Sequence, residues 1–240
     1  MKSVISLTTI PNRVDQVHHI IDMLLKQSYK PDLICLYVSF DEIPEKLRDL
    51  SRQNSVFKIK KVKDLGPGTK WYYSLKDNYD IVVFLDDDVF IHNNLIEELI
   101  EYHTKYSSDN LGFIGTIKNS FVHNEYLENC DKYNVELLGG YRGVLIPWHR
   151  YTSYQKESLL SSFERLCESS IVLDDDYFLS KVWKHIGINS SVVKSKNPWA
   201  FQFAIWSAID NLNNEKNEEK MKTDRRRIDT YFSTNCDLQS

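Results

Sequence analysis

Residues 81–90 read IVVFLDDDVF, an apolar run that leads directly into three consecutive aspartates. A short, continuous apolar run is typical of a strand buried on both faces, as in a parallel sheet. Further runs rich in Val, Ile, Leu, Phe and Tyr occur at residues 4–10, 33–38 and 56–62, each short enough for a strand, and two of the four runs are nearly all apolar. Helical patterns lie between these runs, at residues 14–25, 44–50 and 70–75. The alternation predicts an α/β fold, in which a mostly parallel, twisted sheet carries helices on both faces within a single domain.

The pattern becomes less regular after the aspartates. Helices are predicted at residues 95–103, 156–168 and 174–185, and strands at residues 111–117, 144–147 and 190–194. Much of the stretch from 119 to 170 is rich in glycine and aromatic residues, which is typical of a lid or a loop region. An aromatic amphipathic helix is predicted at residues 198–209. A solvated polar helix or tail follows it, including Arg225, Arg226 and Arg227.

Composition limits the classes of function. The chain has 240 residues, of which 42% are hydrophobic and 27% are charged, and this suits one main domain with a sizeable core. We place that domain at residues 1–212, with halves at 1–118 and 119–212, and a polar helix or tail at 213–240. A net charge of −4 argues against a nucleic-acid partner. Without a signal peptide or a transmembrane segment, the chain is expected to be cytoplasmic, soluble or peripherally associated.

Polar or glycine-bearing clusters follow the first four predicted strands. They are Thr8, Thr9, Pro11, Asn12 and Arg13; Ser39 and Asp41; Asp64, Gly66, Gly68, Thr69 and Lys70; and Asp86, Asp87 and Asp88. The carboxyl ends of parallel strands lie along one edge of the sheet, and such folds bind their ligands at that edge. We therefore expect the four clusters to converge.

The aspartate triad predicts a cation site. Three carboxylates at the end of a buried strand repel one another and lose hydration, so a cation would offset a large cost. Side chains alternate along a strand, which places Asp86 and Asp88 on one face and turns Asp87 away. Oxygen ligands favour a hard cation such as Mn²⁺ or Mg²⁺. The alternative is an acidic turn that caps the following helix.

The loop DLGPGTK, residues 64–70, brings backbone amides and Lys70 to the same edge. Its glycines would permit close approach to an anion such as a phosphate group. Its glycine spacing differs from that of a Walker loop. A tight turn with a purely structural role is the alternative.

A second acidic motif lies in IVLDDDYFLSKVWKHIGI, residues 171–188. Asp174, Asp175 and Asp176 stand at the predicted start of a helix that Gly187 ends. Carboxylates are favoured at this position by the helix dipole, so capping alone would explain them. The functional interpretation is that one of them accepts a proton from an incoming hydroxyl group.

Four segments together resemble the GT-A glycosyltransferases, in particular the family-two-like group. They are ISLTTIPNR at 5–13, VVFLDDD at 82–88, GGYRGVLIP at 139–147 and DDDYFLSKVWKHIGI at 174–188. The resemblance implies the Rossmann-like GT-A fold and a nucleotide-sugar donor, with a UDP sugar favoured. It makes Asp86 and Asp88 the ligands of Mn²⁺ or Mg²⁺ within a DxD motif. It also makes Asp176 the catalytic base, with Asp175 as the close alternative.

The resemblance assigns further roles. The residues that would border the nucleotide base are Thr8, Thr9, Pro11 and Arg13, with Asp41 nearby. The residues that would face the diphosphate or the sugar are Lys70, Asp86 and Asp87. The acceptor, a glycan or another hydroxyl-bearing molecule, would contact Gly139, Gly140, Tyr141, Arg142 and Trp148, with core packing as the alternative for Trp148 and Trp199. His149 and His185 are better explained as ordinary histidines than as third metal ligands.

The implied reaction is direct displacement at the anomeric carbon with inversion. A QxxRW motif is absent, which argues against a processive polymerase. Three alternatives remain open. A nucleotidyltransferase would need a basic glycine-rich signature in place of TTIPNR, and a retaining glycosyltransferase would make the late aspartates structural. A degenerate GT-A module that binds nucleotide or glycan would have no catalytic activity.

Overall fold

The computed structural model describes residues 1–118, 120–123, 131–196, 202–203 and 215–234. Its strands are β1 Ser3–Thr8, β2 Leu33–Val38, β3 Phe57–Lys61, β4 Ile81–Phe84, β5 Val89–Phe90, β6 Asn110–Gly112, β7 Ile114–Ile117, β8 Ser120–His123, β9 Lys132–Asn134, β10 Leu137–Leu138, β11 Val144–Ile146, β12 Ser190–Val193 and β13 Gln202–Phe203. Its α-helices are α1 His18–Leu25, α2 Glu45–Gln53, α3 Thr69–Lys76, α4 Leu95–Lys105, α5 Ser153–Ser169, α6 Asp175–His185 and α7 Glu215–Thr234. No helix within these residues combines the length and apolarity needed to cross a membrane.

The main sheet has eight strands in the order β3-β2-β1-β4-β11-β6-β12-β9. The first four strands in this order are parallel to one another, and β12 is parallel to β6. Strand β11 is antiparallel to both β4 and β6, and β9 is antiparallel to β12. The predicted α/β fold with a mostly parallel sheet is therefore confirmed.

The sheet separates two apolar cores. Val4 and Val82 pack on one side with Phe178 of α6, and Ile5 packs on the other side with Ile20 of α1. All five side chains are less than 2% exposed. Adjacent strand residues thus face opposite cores, which explains why the strands are continuous apolar runs rather than alternating ones.

One predicted strand is in fact two. The apolar run at 111–117 is divided at Phe113 into β6, which joins the main sheet, and β7, which joins a separate three-stranded sheet in the order β10-β7-β8. At Gly115 an added Cβ would lie 2.6 Å from the carbonyl oxygen of Leu137. The tight antiparallel pairing of β7 with β10 therefore requires glycine and draws the chain out of the main sheet.

The predicted helix at 198–209 lies mostly outside the described residues. Residues 202 and 203 are described, and they pair with β5 as a short antiparallel strand instead of continuing a helix. A propensity pattern is a weak guide here because strand pairing depends on a partner that is distant in sequence.

The polar C-terminal segment forms α7, and this helix has a buried side. Ile228 and Phe232 are 0% and 8% exposed, and both belong to the core that α6 also borders. The predicted boundary at residue 212 lies outside the described part of the chain. Helix α7 itself packs against the domain instead of extending into solvent.

Candidate functional site

A cavity of about 870 Å³ opens at the carboxyl edge of the parallel strands. Residues that follow each of the first four parallel strands line it: Thr8, Thr9, Pro11 and Arg13; Ser39; Asp64, Gly66, Pro67 and Lys70; and Asp86, Asp87 and Asp88. The second acidic motif lines the same cavity with Asp174, Asp175 and Asp176. The structure thus brings together two acidic segments that are far apart in sequence.

Other residues named from the sequence lie elsewhere. Asp41 has a side chain that is 83% exposed and pairs with Lys61 outside the cavity lining. Trp148 is 1% exposed and belongs to the core, as the core-packing alternative predicted. The imidazole of His149 bonds the backbone carbonyl of Asp80 at 3.0 Å, and the His185 ring lies beside Phe232. Trp199 lies outside the described residues.

Arg13 holds two members of the aspartate triad. Its Nη1 atom lies 3.1 Å from Asp87 Oδ1 and 3.0 Å from Asp88 Oδ2. Thr9 donates its hydroxyl hydrogen to the second oxygen of Asp87. The expectation that Asp87 turns away from Asp88 is therefore wrong. Side chains alternate only in an extended strand, and the chain turns at residues 87–88 after β4 has ended.

Lys70 joins the two acidic segments. Its ammonium nitrogen lies 2.7 Å from Asp86 Oδ1 and 3.1 Å from Asp175 Oδ2, and the residue is 3% exposed. Burial by itself would lower the pKa of Lys70, but the charges of Asp175, Asp86 and Asp176 outweigh it and raise the pKa well above its usual value. Lys70 is therefore a permanent cation at the centre of the site.

The three aspartates of the second motif have different environments. Asp174 caps α6 by accepting the backbone N–H of Tyr177 at 3.1 Å. Asp175 accepts the indole N–H of Trp71 at 3.1 Å, in addition to its ion pair with Lys70. Asp176 accepts the N–H of Gly140 at 2.9 Å through Oδ2, while its buried Oδ1 has no hydrogen-bond partner among the described residues.

Gly140 makes the position of Asp176 possible. A Cβ at residue 140 would lie 2.6 Å from Asp176 Oδ1 and 2.9 Å from the Phe84 ring. Only a residue without a side chain allows the backbone to approach the carboxylate this closely. The GGYRG segment therefore contributes to the acidic centre through its backbone.

The site carries excess negative charge. Among the described residues, seven carboxylates and three cationic side chains line the cavity. Burial and the charges of Asp86 and Asp87 raise the pKa of Asp88 to about 7. Burial likewise raises the pKa of Asp175, and burial and the charge of Asp175 raise that of Asp176 well above its usual value. These shifts mean that the ionised carboxylates lack full compensation.

A divalent cation fits this donor chemistry, although the described residues alone do not enclose one. The described residues contain no group of three or more His, Cys, Asp or Glu side chains arranged around a metal position. Carboxylate oxygens suit Mn²⁺ or Mg²⁺, which commonly completes its coordination with water and substrate phosphate. Asp86 and Asp88 could contribute to such a shared site through the oxygens that Lys70 and Arg13 do not contact.

The glycines of the 64–70 loop serve packing. A Cβ at Gly66 would lie 2.3 Å from Ile171 Cγ2, and one at Gly68 would lie 2.3 Å from the ring of Phe163. Asp64 accepts the N–H of Gly66 at 2.8 Å. The glycines let the loop lie against α5 and the segment before α6, which fits the tight-turn alternative.

Sequence reasoning missed the contribution of α7. Asn217, Met221 and Arg225 of this helix line the cavity. The side chain of Arg225 is 48% exposed, as the expectation of a solvated arginine run predicts, but its Nε atom also lies 2.5 Å from Asp174 Oδ2. The available signal was the helical spacing of Met221, Ile228 and Phe232, which places them on one face.

Comparison with known proteins identifies the fold. No family model matches the sequence, and no curated protein matches it. A crystal structure of S. aureus TarS 1-349 in complex with UDP-GlcNAc is similar, with a TM-score of 0.63 and 15% identity over 100% of this chain and 68% of that chain. GalNAc-T7 with UDP, GalNAc and Mn²⁺ has a TM-score of 0.58 and 12% identity over 80% of this chain and 42% of that chain.

The chain has the GT-A fold. It spans 44% of a longer TarS structure, to which it is similar with a TM-score of 0.59 and 14% identity. These structural neighbours are glycosyltransferases. The GT-A fold accounts for the single α/β domain and for the position of the cavity at the carboxyl ends of the parallel strands.

Proposed function

We propose that the chain is a metal-dependent glycosyltransferase that moves a sugar from a nucleotide sugar to a hydroxyl group of a glycan or another acceptor, with inversion. The observation that carries this proposal is the meeting of the two acidic segments around Lys70 in one cavity. A UDP sugar is the favoured donor because similar structures hold UDP-GlcNAc or UDP.

The donor would lie along the first parallel strands. Thr8, Thr9 and Pro11 line the cavity and would border the nucleotide base. Ser39 lines the cavity at the end of β2, whereas Asp41 does not, so Ser39 replaces Asp41 in this proposal. Lys70 would face the diphosphate with a charge that burial does not remove.

The negative charge of the cavity makes a metal necessary in this proposal. Like charges about 4 Å apart repel by around 4 kcal/mol at an effective dielectric of about 20, so a diphosphate would be repelled by the aspartate triad. Asp86 and Asp88 would hold Mn²⁺ or Mg²⁺, which when bound neutralises the charge of the departing diphosphate. Arg13 would keep Asp87 and Asp88 oriented.

Asp176 is the better candidate for the catalytic base. Asp175 is engaged through Oδ2 by both Lys70 and the indole of Trp71, so its charge is partly compensated. Asp176 has one backbone donor, and burial and the charge of Asp175 raise its pKa. A raised pKa makes a carboxylate a stronger proton acceptor for the incoming hydroxyl group.

Thermal unfolding with UDP, GDP, dTDP and CMP, each with and without Mn²⁺, tests the donor site. A ligand at about 100 times its dissociation constant stabilises by about 2.7 kcal/mol, which corresponds to roughly 5 to 10 °C for a chain of this size. We expect a metal-dependent shift with UDP that is lost in Asp88→Ala. Asp49→Ala, which removes an exposed aspartate of α2, should keep the shift.

Turnover then tests the reaction. With a nucleotide sugar that gives a shift, the wild-type chain should release UDP, and Asp176→Asn should retain UDP binding while losing turnover. The anomeric configuration of the product distinguishes inversion from retention. A metal-dependent shift without any turnover would favour a binding module, and no shift with any nucleotide would refute the proposed donor site.

A further inference from the structure

We propose that Asp224 of α7 is a positioning residue that fixes the acidic segment 174–176 in the cavity. This inference rests on the proposed function, since it concerns the placement of the carboxylates at that site. The carboxylate oxygen Oδ2 of Asp224 accepts the backbone N–H of Leu173 at 2.8 Å and that of Asp174 at 3.0 Å. These two amides immediately precede Asp175, so their position sets where α6 begins.

Arg227 holds Asp224 in turn. Its Nη2 atom lies 2.6 Å from the other oxygen of Asp224, and it donates to the carbonyl of Ile171 at 3.2 Å. Its Nη1 atom donates to the carbonyls of Leu166 at 3.2 Å and Ser170 at 3.0 Å. One guanidinium group thus connects the end of α5, the approach to α6 and α7, with geometry that a planar, forked donor provides.

Asp224 lies on α7 between the residues that pack in the core and the residues that line the cavity. Ile228 and Phe232 bury the C-terminal part of the helix, while Asn217 and Met221 line the cavity at its N-terminal part. Asp224 is 5% exposed and lies between these two parts. The apolar contacts secure the far end of the helix, and the polar contacts of Asp224, together with the pair between Arg225 and Asp174, secure the end that borders the site.

The segment before α6 lies in no helix or strand, and its backbone N–H groups at Leu173 and Asp174 are held by Asp224. Residues 171–174 lie between the end of α5 and the start of α6. Asp175 and Asp176 can stay near Lys70 and Gly140 only if this connection keeps its shape. A small displacement of a reacting group is enough to reduce turnover by about 100-fold.

Asp224→Ala tests the proposal, with Asp229→Ala as the matched control. Asp229 lies on the same helix and bonds the Tyr177 hydroxyl at 2.8 Å and Lys181 at 2.6 Å, but it has no bond to the backbone of residues 171–174. Asp224 and Arg227 border an open groove of about 550 Å³, so water can reach the groups that the substitution frees. We expect both variants to fold.

Two measurements are made on the full chain at a temperature where every variant is folded. In hydrogen exchange, the amides of residues 173 and 174 should exchange at least about 10-fold faster in Asp224→Ala and at the wild-type rate in Asp229→Ala. With UDP-GlcNAc as the probe, kcat for UDP release should fall at least about 10-fold in Asp224→Ala, with KM within about 2-fold. Asp224→Asn retains an acceptor for the two amides but not the pair with Arg227, and it should be intermediate.

Unchanged exchange at residues 173 and 174 would overturn the anchoring role. Faster exchange with wild-type kcat, or an equal loss of kcat in both alanine variants, would show that Asp224 has only a general structural role. If the wild-type chain released no UDP from any nucleotide sugar, the proposed function would fail. The exchange result alone would then decide whether Asp224 anchors the segment.

Discussion

Replacing Asp88 by asparagine should stabilise the metal-free protein at pH 8. The Asp88 side chain is only 11% exposed, and burial together with the charges of Asp86 and Asp87 raises its pKa to about 7. Ionising this carboxyl group in the folded state therefore costs free energy that the unfolded chain does not spend. Asparagine has nearly the same shape but no charge, so it removes the cost.

The magnitude follows from the pKa shift. One pKa unit corresponds to about 1.4 kcal/mol, so the rise from 3.8 to about 7 costs up to about 4 kcal/mol at pH 8. The attraction of Arg13 lowers this pKa and is already contained in it, so it is not subtracted again, and Arg13 keeps its pair with Asp87. We expect a gain of up to about 4 kcal/mol in the free energy of unfolding at pH 8, which corresponds to roughly 8 to 16 °C in Tm.

The pH dependence of the free energy of unfolding tests independently whether the substitution stabilises the protein. Because the folded-state pKa of Asp88 is raised, its contribution to stability is fully present below the unfolded pKa of 3.8 and is lost as pH rises through about 7. The raised pKa values of Asp87, Asp175 and Asp176 act in the same direction, but they remain in both proteins. The advantage of the variant should therefore appear between pH 4 and pH 8.

Urea unfolding at pH 4.5, 6 and 8 in the presence of a chelator measures this difference. Asp49→Asn, at an exposed aspartate, should change stability by less than about 0.5 kcal/mol at each pH. Adding Mn²⁺ and UDP should make the wild-type chain more stable than Asp88→Asn at pH 8, because only the wild-type chain binds them. A variant that is no more stable than wild type at pH 8, or whose advantage does not grow with pH, would refute the reasoning.

Four further substitutions have defined outcomes. Gly140→Ala should lower the free energy of unfolding by about 1 to 3 kcal/mol and abolish turnover, because its Cβ would lie 2.6 Å from Asp176 Oδ1. Its control is Gly187→Ala, where an added Cβ meets no atom within 4 Å. This control should cost about 1 kcal/mol, because residue 187 has a positive φ, and it should keep turnover. Lys70→Met should lose about 3 to 5 kcal/mol at pH 8 by urea unfolding and less at pH 5, where protonation relieves the carboxylates; a constant loss would contradict this. Thr152→Ala removes the capping box of α5 and should lower Tm by about 2 to 4 °C without changing nucleotide binding.

The strands of the parallel half were predictable because their signal is local. The prediction for β2 coincides with Leu33–Val38, and β1, β3 and β4 differ from their predictions only at the ends. Continuous apolar runs predict β1, β2 and β4 in the interior of the sheet, whereas β3, with the sequence FKIKK, lies at its edge. The helical spacing between the runs predicts the crossovers. The order of the strands along the sheet then brings their polar ends to one edge.

Features that depend on pairing between distant residues were not predictable. The division of residues 111–117 into β6 and β7 depends on which strand lies beside each half. The polar surface of α7 gave no sign that Asp224 meets the backbone of Leu173. Arg13 showed no sign that it would bridge Asp87 and Asp88, since such contacts need a specific three-dimensional approach.

The sequence by itself determined the α/β fold, the edge at which polar residues gather and the two acidic segments, because periodicity and strand ends are local properties of the chain. Only the tertiary structure decided which charges meet. Lys70 lies between Asp86 and Asp175, and Arg225 lies against Asp174, because the crossovers and the packing of α7 place them there. Electrostatic energy depends on distances of a few ångströms, and those distances exist only once the elements have packed.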